Sequence, residues 1–137
     1  MRFCCLFLLL TFACAQQTST MVRNVEFYPR EERVDIMLAF VEPYNGKIQT
    51  DMQKGYTTIT FPNAHMEQTR EQNIGGTFGI EAIQVAPLDG AFVVIILGGD
   101  SLRIQTTQLI EGYGLRLRIT QKPSDPLGKL KDTLNDL

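Results

Sequence analysis

The sequence predicts a small all-β protein, an antiparallel β-sandwich of seven to eight short strands, on three observations. Apolar and polar residues alternate with period two in several short runs. Gly, Pro, Asn and Asp clusters separate those runs at intervals of roughly 10 to 15 residues. No helical period is sustained through the middle of the chain. A small barrel is the competing arrangement of the same strands. At 137 residues the length fits one domain.

The elements follow in chain order. Val22 to Tyr28 sets Val25 and Phe27 on one side, and Pro29 to Glu32 makes a charged turn. Arg33 to Phe40 returns as the plainest strand: Val34, Ile36, Leu38 and Phe40 share one face, Arg33, Asp35, Met37 and Ala39 the other. Pro43-Tyr44-Asn45-Gly46 reads as a turn cluster before Lys47 to Met52, with Ile48 and Met52 apolar. Lys54-Gly55 then introduces Tyr56 to Phe61, whose Thr57, Ile59 and Phe61 line one face until Pro62 closes the strand. Asn63 to Gly79 has no sustained period and reads as the longest loop, with room for a helical turn near Glu67 to Gln72. Ile80 to Ala86 resumes extended structure, with Ile83 and Val85 inward, and Asp89-Gly90 supplies a tight turn. Ala91 to Leu97 is continuously apolar, which predicts a central strand covered on both faces. Ser101 to Thr107 and Leu115 to Thr120 finish the set, with Leu102, Ile104, Leu115, Leu117 and Ile119 inward.

Both ends read differently. Arg2, the apolar run Phe3 to Phe12 and the small residues Ala13-Cys14-Ala15 have the form of a secretory signal peptide cleaved after Ala15. The polar residues Gln16 to Thr20 follow too soon for a membrane span, which needs about 20 apolar residues. Lipidation at Cys14 is disfavoured, because Thr11 and Phe12 precede Ala13 where such sites prefer Leu and small residues. All three cysteines fall within the first 14 positions, so an exported domain would carry no disulfide, thiolate metal site or catalytic thiol. Export without cysteines suits a bacterial periplasm. At the other end, Lys122 to Pro126 reads as a linker. Leu127, Leu130, Leu134 and Leu137 then recur at helical spacing, in a tail that either frays or docks its leucine stripe, with membrane contact one use for it. The chain divides into signal peptide 1–15, linker 16–21, domain 22–120, and linker with short amphipathic tail 121–137.

Composition excludes some functions. With 13 Lys and Arg against 15 Asp and Glu, the charge is too even for a nucleic-acid binder. His65 is the only imidazole, and its neighbours do not complete a metal site, so no cofactor or metal is expected. Nothing resembling a nucleophile elbow surrounds Ser101. Glu31 and Glu32 are adjacent, point to opposite sides of an extended chain, and cannot flank one glycosidic bond. Gly75-Gly76-Thr77-Phe78-Gly79 lacks the Lys-Ser/Thr of a phosphate loop and reads as a flexible loop that lets Phe78 turn inward. The candidate ligand surface is Arg103, Arg116 and Arg118, which the alternation puts together on the outer face of two sequential strands. Three planar donor forks there suit carboxylates or phosphates of a cell-wall polymer. A solvated face whose arginines are answered by Asp and Glu is the plainer alternative.

The order and spacing of these strands resemble the AMIN domain, a β-sandwich module of exported bacterial envelope proteins. The residues that carry the resemblance are the opening Val22-x-x-Val25-x-Phe27, Arg33-Val34-x-Ile36-x-Leu38, Tyr56 to Ala64, Gly90 to Leu97 and Gly114 to Ile119. Where the family often reads Ile-Asp-Leu-Pro, this chain has Ile59-Thr60-Phe61-Pro62. The resemblance implies a non-catalytic targeting or assembly module that engages peptidoglycan or an envelope protein complex. Such modules occur on cell-wall amidases, on secretins and in FliO-like flagellar biogenesis proteins. The competing expectation is a small exported hydrolase or ligand carrier, with a cavity between the sheets and the Asn63 to Gly79 loop as its lid.

Overall fold

The computed structural model describes residues 19–122. The expected signal peptide with its cysteines, and the leucine-spaced tail, lie outside the described residues. The all-β expectation holds, with a different strand count. Ten strands form two five-stranded sheets: β1 (Thr20–Pro29), β2 (Val34–Phe40), β3 (Gln49–Gln53), β4 (Tyr56–Pro62), β5 (Ala64–His65), β6 (Arg70–Asn73), β7 (Ile80–Leu88), β8 (Ala91–Gly98), β9 (Leu102–Leu109) and β10 (Gly114–Gln121). The first sheet runs β5-β1-β2-β10-β9 and the second β3-β4-β8-β7-β6. Every pair is antiparallel except β1 with β5.

The two extra strands come from the segment expected to be a loop. Ala64 and His65 pair with Thr20 and Met21, and Arg70 to Asn73 pair with Val85 to Ala82, so the expected helical turn near Glu67 to Gln72 is replaced by extended backbone. Neighbouring strand edges with unpaired amides impose that conformation; the local sequence has no alternation to announce it. The glycine-bearing stretch that follows closes in a single 3₁₀ turn, Thr77–Gly79, and Phe78 lies half-buried against the core.

The inward rows read from the sequence form the core. Val34, Ile36, Leu38 and Phe40 of β2, Ile59 and Phe61 of β4, and Leu115, Leu117 and Ile119 of β10 are all buried. Phe61 and Phe92, directly opposite on β4 and β8, stack at 4.5 Å between ring centroids. Phe40 from the other sheet meets Phe92 at 6.2 Å, so the two sheets share one interior. β8 is central in its sheet as expected. Burial on both faces holds in its first half, where outer-row Ala91 and Val93 are buried, and fails toward the end of the strand, where Leu97 is 37% exposed. Met52, one of the two apolar residues of the expected strand, is 46% exposed, because β3 is a short edge strand with no buried residue.

The expected turn cluster at Pro43 to Gly46 also has a second role. The connection from β2 to β3 crosses from one sheet to the other, and Tyr44 pins it to the core. Its ring stacks on Phe40 at 5.1 Å, its amide donates to the Gly112 carbonyl at 2.9 Å, and its hydroxyl donates to the Pro62 carbonyl at 2.8 Å. Gly46 is required beside it, because a Cβ there would collide with the Tyr44 hydroxyl. Burial pushes the Tyr44 hydroxyl from its ordinary 10.0 up to about 12. Between those values the folded chain keeps a proton that the unfolded chain has released, so stability falls as pH rises through that window. Tyr44→Phe is expected to lose about 1 kcal/mol at neutral pH with the Pro62 hydrogen bond. Its melting temperature should also fall less steeply than the wild type's between pH 10 and 12; equal slopes would contradict the assignment.

Candidate functional site

The outer face of the first sheet carries the expected arginines, and the strand register fixes their neighbours. Three rungs cross β1, β2, β10 and β9 in turn: Tyr28–Asp35–Arg118–Gln105, Glu26–Met37–Arg116–Thr107 and Asn24–Ala39–Gly114–Leu109. Arg103 lies beyond them on β9, opposite Thr120. The face thus grades from a charged end at Arg33, Asp35, Arg103 and Arg118 to a small, apolar end at Ala39, Gly114 and Leu109. Alternation along each strand is sufficient to bring the three arginines onto one face.

Their environments differ. Arg118 is committed to Asp35: its Nε donates to Oδ1 at 2.9 Å and its Nη2 to Oδ2 at 3.3 Å, a two-pronged pair. The Arg33 Nε lies 3.3 Å from Oδ2 of the same carboxylate. That hydrogen bond to Asp35 raises the Arg118 pKa, the partial desolvation of the guanidinium acting in the opposite direction. Asp35 itself is only 8% exposed, so it relies on these donors in place of water. Arg116, between Met37 and Thr107, keeps its Nε shielded from water with no hydrogen-bond partner. Arg103 is exposed and, among the described residues, makes no ion pair. On the neighbouring edge the Tyr28 hydroxyl donates to the Glu26 carboxylate, which pushes its pKa up.

The sequence placed the arginines on one face and allowed for Asp or Glu beside them, but did not single out Asp35, which pairs with Arg118 alone of the three. The missing information was strand order: β10 lies between β2 and β9, so residues 83 apart in sequence meet. A lone carboxylate on the outer row of a half-buried strand was the one available signal.

Other candidate chemistry is scattered. His65 is exposed on the two-residue β5. Glu31 and Glu32 lie in the exposed turn between β1 and β2. Among the described residues, no group of three or more His, Cys, Asp or Glu side chains is placed to hold a metal ion. A groove of about 440 Å³ runs along β1 between Met21 to Val25 and Met66 to Arg70, open to solvent, with Arg70 Nη2 donating to the Val25 carbonyl at 3.3 Å. A second, of about 300 Å³, lies beside β9, bordered by Tyr44, Ile48, Thr106, Gln108 and Leu115. No family model and no curated protein matches the chain.

The Asp35 carboxylate is nearly buried while the Arg118 guanidinium keeps contact with solvent, so the pair is neither a freely hydrated surface ion pair nor a fully buried one. Asp35→Ala is expected to lower unfolding stability by about 1 to 2 kcal/mol in urea denaturation. Arg118→Ala added to it should cost little more. Additive losses would show that the pair is not coupled.

Proposed function

We propose that this chain is a non-catalytic periplasmic binding module, an AMIN-like β-sandwich, that positions a cell-envelope assembly of the flagellar export, pilus or secretion kind. It does so by contacting peptidoglycan or a partner protein. The observation that carries the reading is where the chemistry sits. The interior is filled with interlocking apolar and aromatic side chains, and the polar groups with unmet bonding capacity, Arg103 and Arg116, lie on a rigid sheet face. A flat, preorganised array of donors suits binding an extended anionic partner, and the two grooves described above are open to solvent, so neither excludes water from a reaction.

The hydrolase or carrier reading needs a cavity between the sheets under the 63–79 segment. Phe40, Phe61 and Phe92 occupy that interior, and part of the presumed lid is pinned as β5 and β6 at the sheet edges. Of the three arginines, Arg118 serves Asp35, which leaves Arg103 and Arg116 as the ligand-facing pair in this proposal.

The test follows from that division. Arg103→Ala/Arg116→Ala is expected to reduce retention on isolated peptidoglycan sacculi at least fivefold while leaving the melting temperature unchanged. Retention equal to wild type removes the arginine face as the glycan-binding surface. Cell fractionation tests the location: the processed chain is expected in the periplasmic fraction, and recovery in the cytosol would defeat the proposal.

A further inference from the structure

An open sheet exposes unpaired backbone donors and acceptors at each rim, and natural proteins blunt such rims with short strands, charges, proline or bulges. Among the described residues the outermost strands are β5 and β9 in one sheet and β3 and β6 in the other. β5 has only two residues. β6 has four, two of them the charged Arg70 and Glu71, and β3 has five, with Asp51 at its centre. The length of β1 that β5 leaves uncovered is bulged between Val22 and Asn24, ends in Pro29, and has its Val25 carbonyl already occupied by Arg70. β9 is the exception. It runs for eight residues, pairs with β10 on every rung without a register break, contains no proline, and carries one charge, Arg103.

The core is also unfinished along that same margin. The inward row of β9 passes from buried Leu102 through half-buried Ile104 to exposed Thr106 and Gln108. The half-buried Ile48 borders the groove beside it, and β3 leaves Met52 open to solvent. On the outer face the exposed Arg103 stands at the rim without an ion pair among the described residues. Among the described residues the β9 margin therefore presents an open hydrogen-bonding edge, an inner side that is apolar at Ile104 and Ile48 and turns polar at Thr106 and Gln108, and a cation on its outer side.

The geometry points to β9 as a strand-accepting edge. An extended segment of another protein adds alongside it as a sixth strand of the first sheet, with apolar side chains turned inward over Ile48 and Ile104 and an acidic side chain outward against Arg103. Main-chain hydrogen bonds supply affinity in this mode, and the alternate side chains supply specificity. A second copy of this chain is the poorer occupant. Its own β9 contains no acidic residue to meet Arg103, and a two-fold pairing centred on Thr106 sets Ile104 of each copy opposite Gln108 of the other, an amide where the inner side is apolar. This inference rests on reading the chain as a binding module and names the class of partner; it requires neither peptidoglycan contact nor export.

Two end-capped octapeptides test it on the purified protein, one alternating valine with glutamate and the other valine with lysine, with affinities read by fluorescence anisotropy. The glutamate peptide is expected to bind at least tenfold more tightly, and Arg103→Glu to abolish or reverse that preference. Successive amides of a strand point to opposite edges, so one of Gln105→Pro and Thr106→Pro removes a ladder bond to β10 and the other a donor on the free edge. The variant that keeps the wild-type melting temperature is the free-edge one, and it should weaken the glutamate peptide at least tenfold. Should both prolines destabilise the fold, Arg103→Glu decides alone. Equal affinity for the two peptides, no binding of either, or a native dimer dissociated by the stable proline variant would each overturn the proposal. None of these readouts depends on sacculus retention or fractionation, so failure here and failure of the envelope reading are separately visible.

Discussion

Four aromatic rings hold the two sheets to one another. Tyr44 stacks on Phe40, Phe40 reaches across to Phe92, and Phe92 lies flat on Phe61, so a continuous run of ring contacts joins β2, the β2–β3 connection, β4 and β8. Each such pair contributes about 0.5 to 1.5 kcal/mol beyond the area it buries. For a domain whose net stability is about 5 to 15 kcal/mol, those increments matter. No cysteine lies among the described residues, so this packing performs the work that disulfides perform in many small exported domains. Tyr44 also ties the connection between β2 and β3 to the centre of the molecule, so the sheet crossing inherits the rigidity of the core.

The parts of this fold that were legible in the sequence share one property: their information is local. Period-two alternation identified the buried rows of β2, β4 and β10, and Asp89-Gly90 identified the turn between β7 and β8, where Gly90 adopts a φ of 71°. What escaped notice depends on distant neighbours. Ala64-His65 and Arg70 to Asn73 contain no alternating pattern, and become strands because β1 and β7 present edges for them to pair with. Tyr44 looked like a turn residue because its role is set by rings on two other segments, Phe40 of β2 and Phe61 of β4. The candidate site divides the same way. The common face of Arg103, Arg116 and Arg118 followed from alternation within two strands, whereas the capture of Arg118 by Asp35 needed the order of strands in the sheet.

The two outer faces are chemically unequal. The first sheet arranges Asp35 and its arginines at one end and small residues at the other. The outer face of the second sheet carries its charge at the rims: the rung Asp51–Thr58–Ile95–Gln84–Glu71 has a carboxylate on each edge strand and uncharged side chains between. Charge at the middle of a face is costly to desolvate and makes pairing selective for partner geometry, whereas charge at the rim stays hydrated. Strain is concentrated elsewhere, in the turn from β9 to β10. There Ile110 and Glu111 adopt φ values of 49° and 54°, and the Ile110 side chain is 77% exposed. A β-branched residue in left-handed backbone, with no burial to offset it, is held there by the closure of the hairpin.

The position of β10 governs when the first sheet can exist at all. β10 is the last strand described in the chain, yet it occupies the slot between β2 and β9 and hydrogen-bonds to both. Without the residues beyond 113, β1 and β2 can still pair with each other, but β9 has no neighbour in its sheet. The second sheet, whose strands are all in hand by Gly98, has by then nothing complete to close against. The first sheet therefore reaches its full strand order only once β10 is in place, so β2 and β9 both wait on a segment that follows them in the chain.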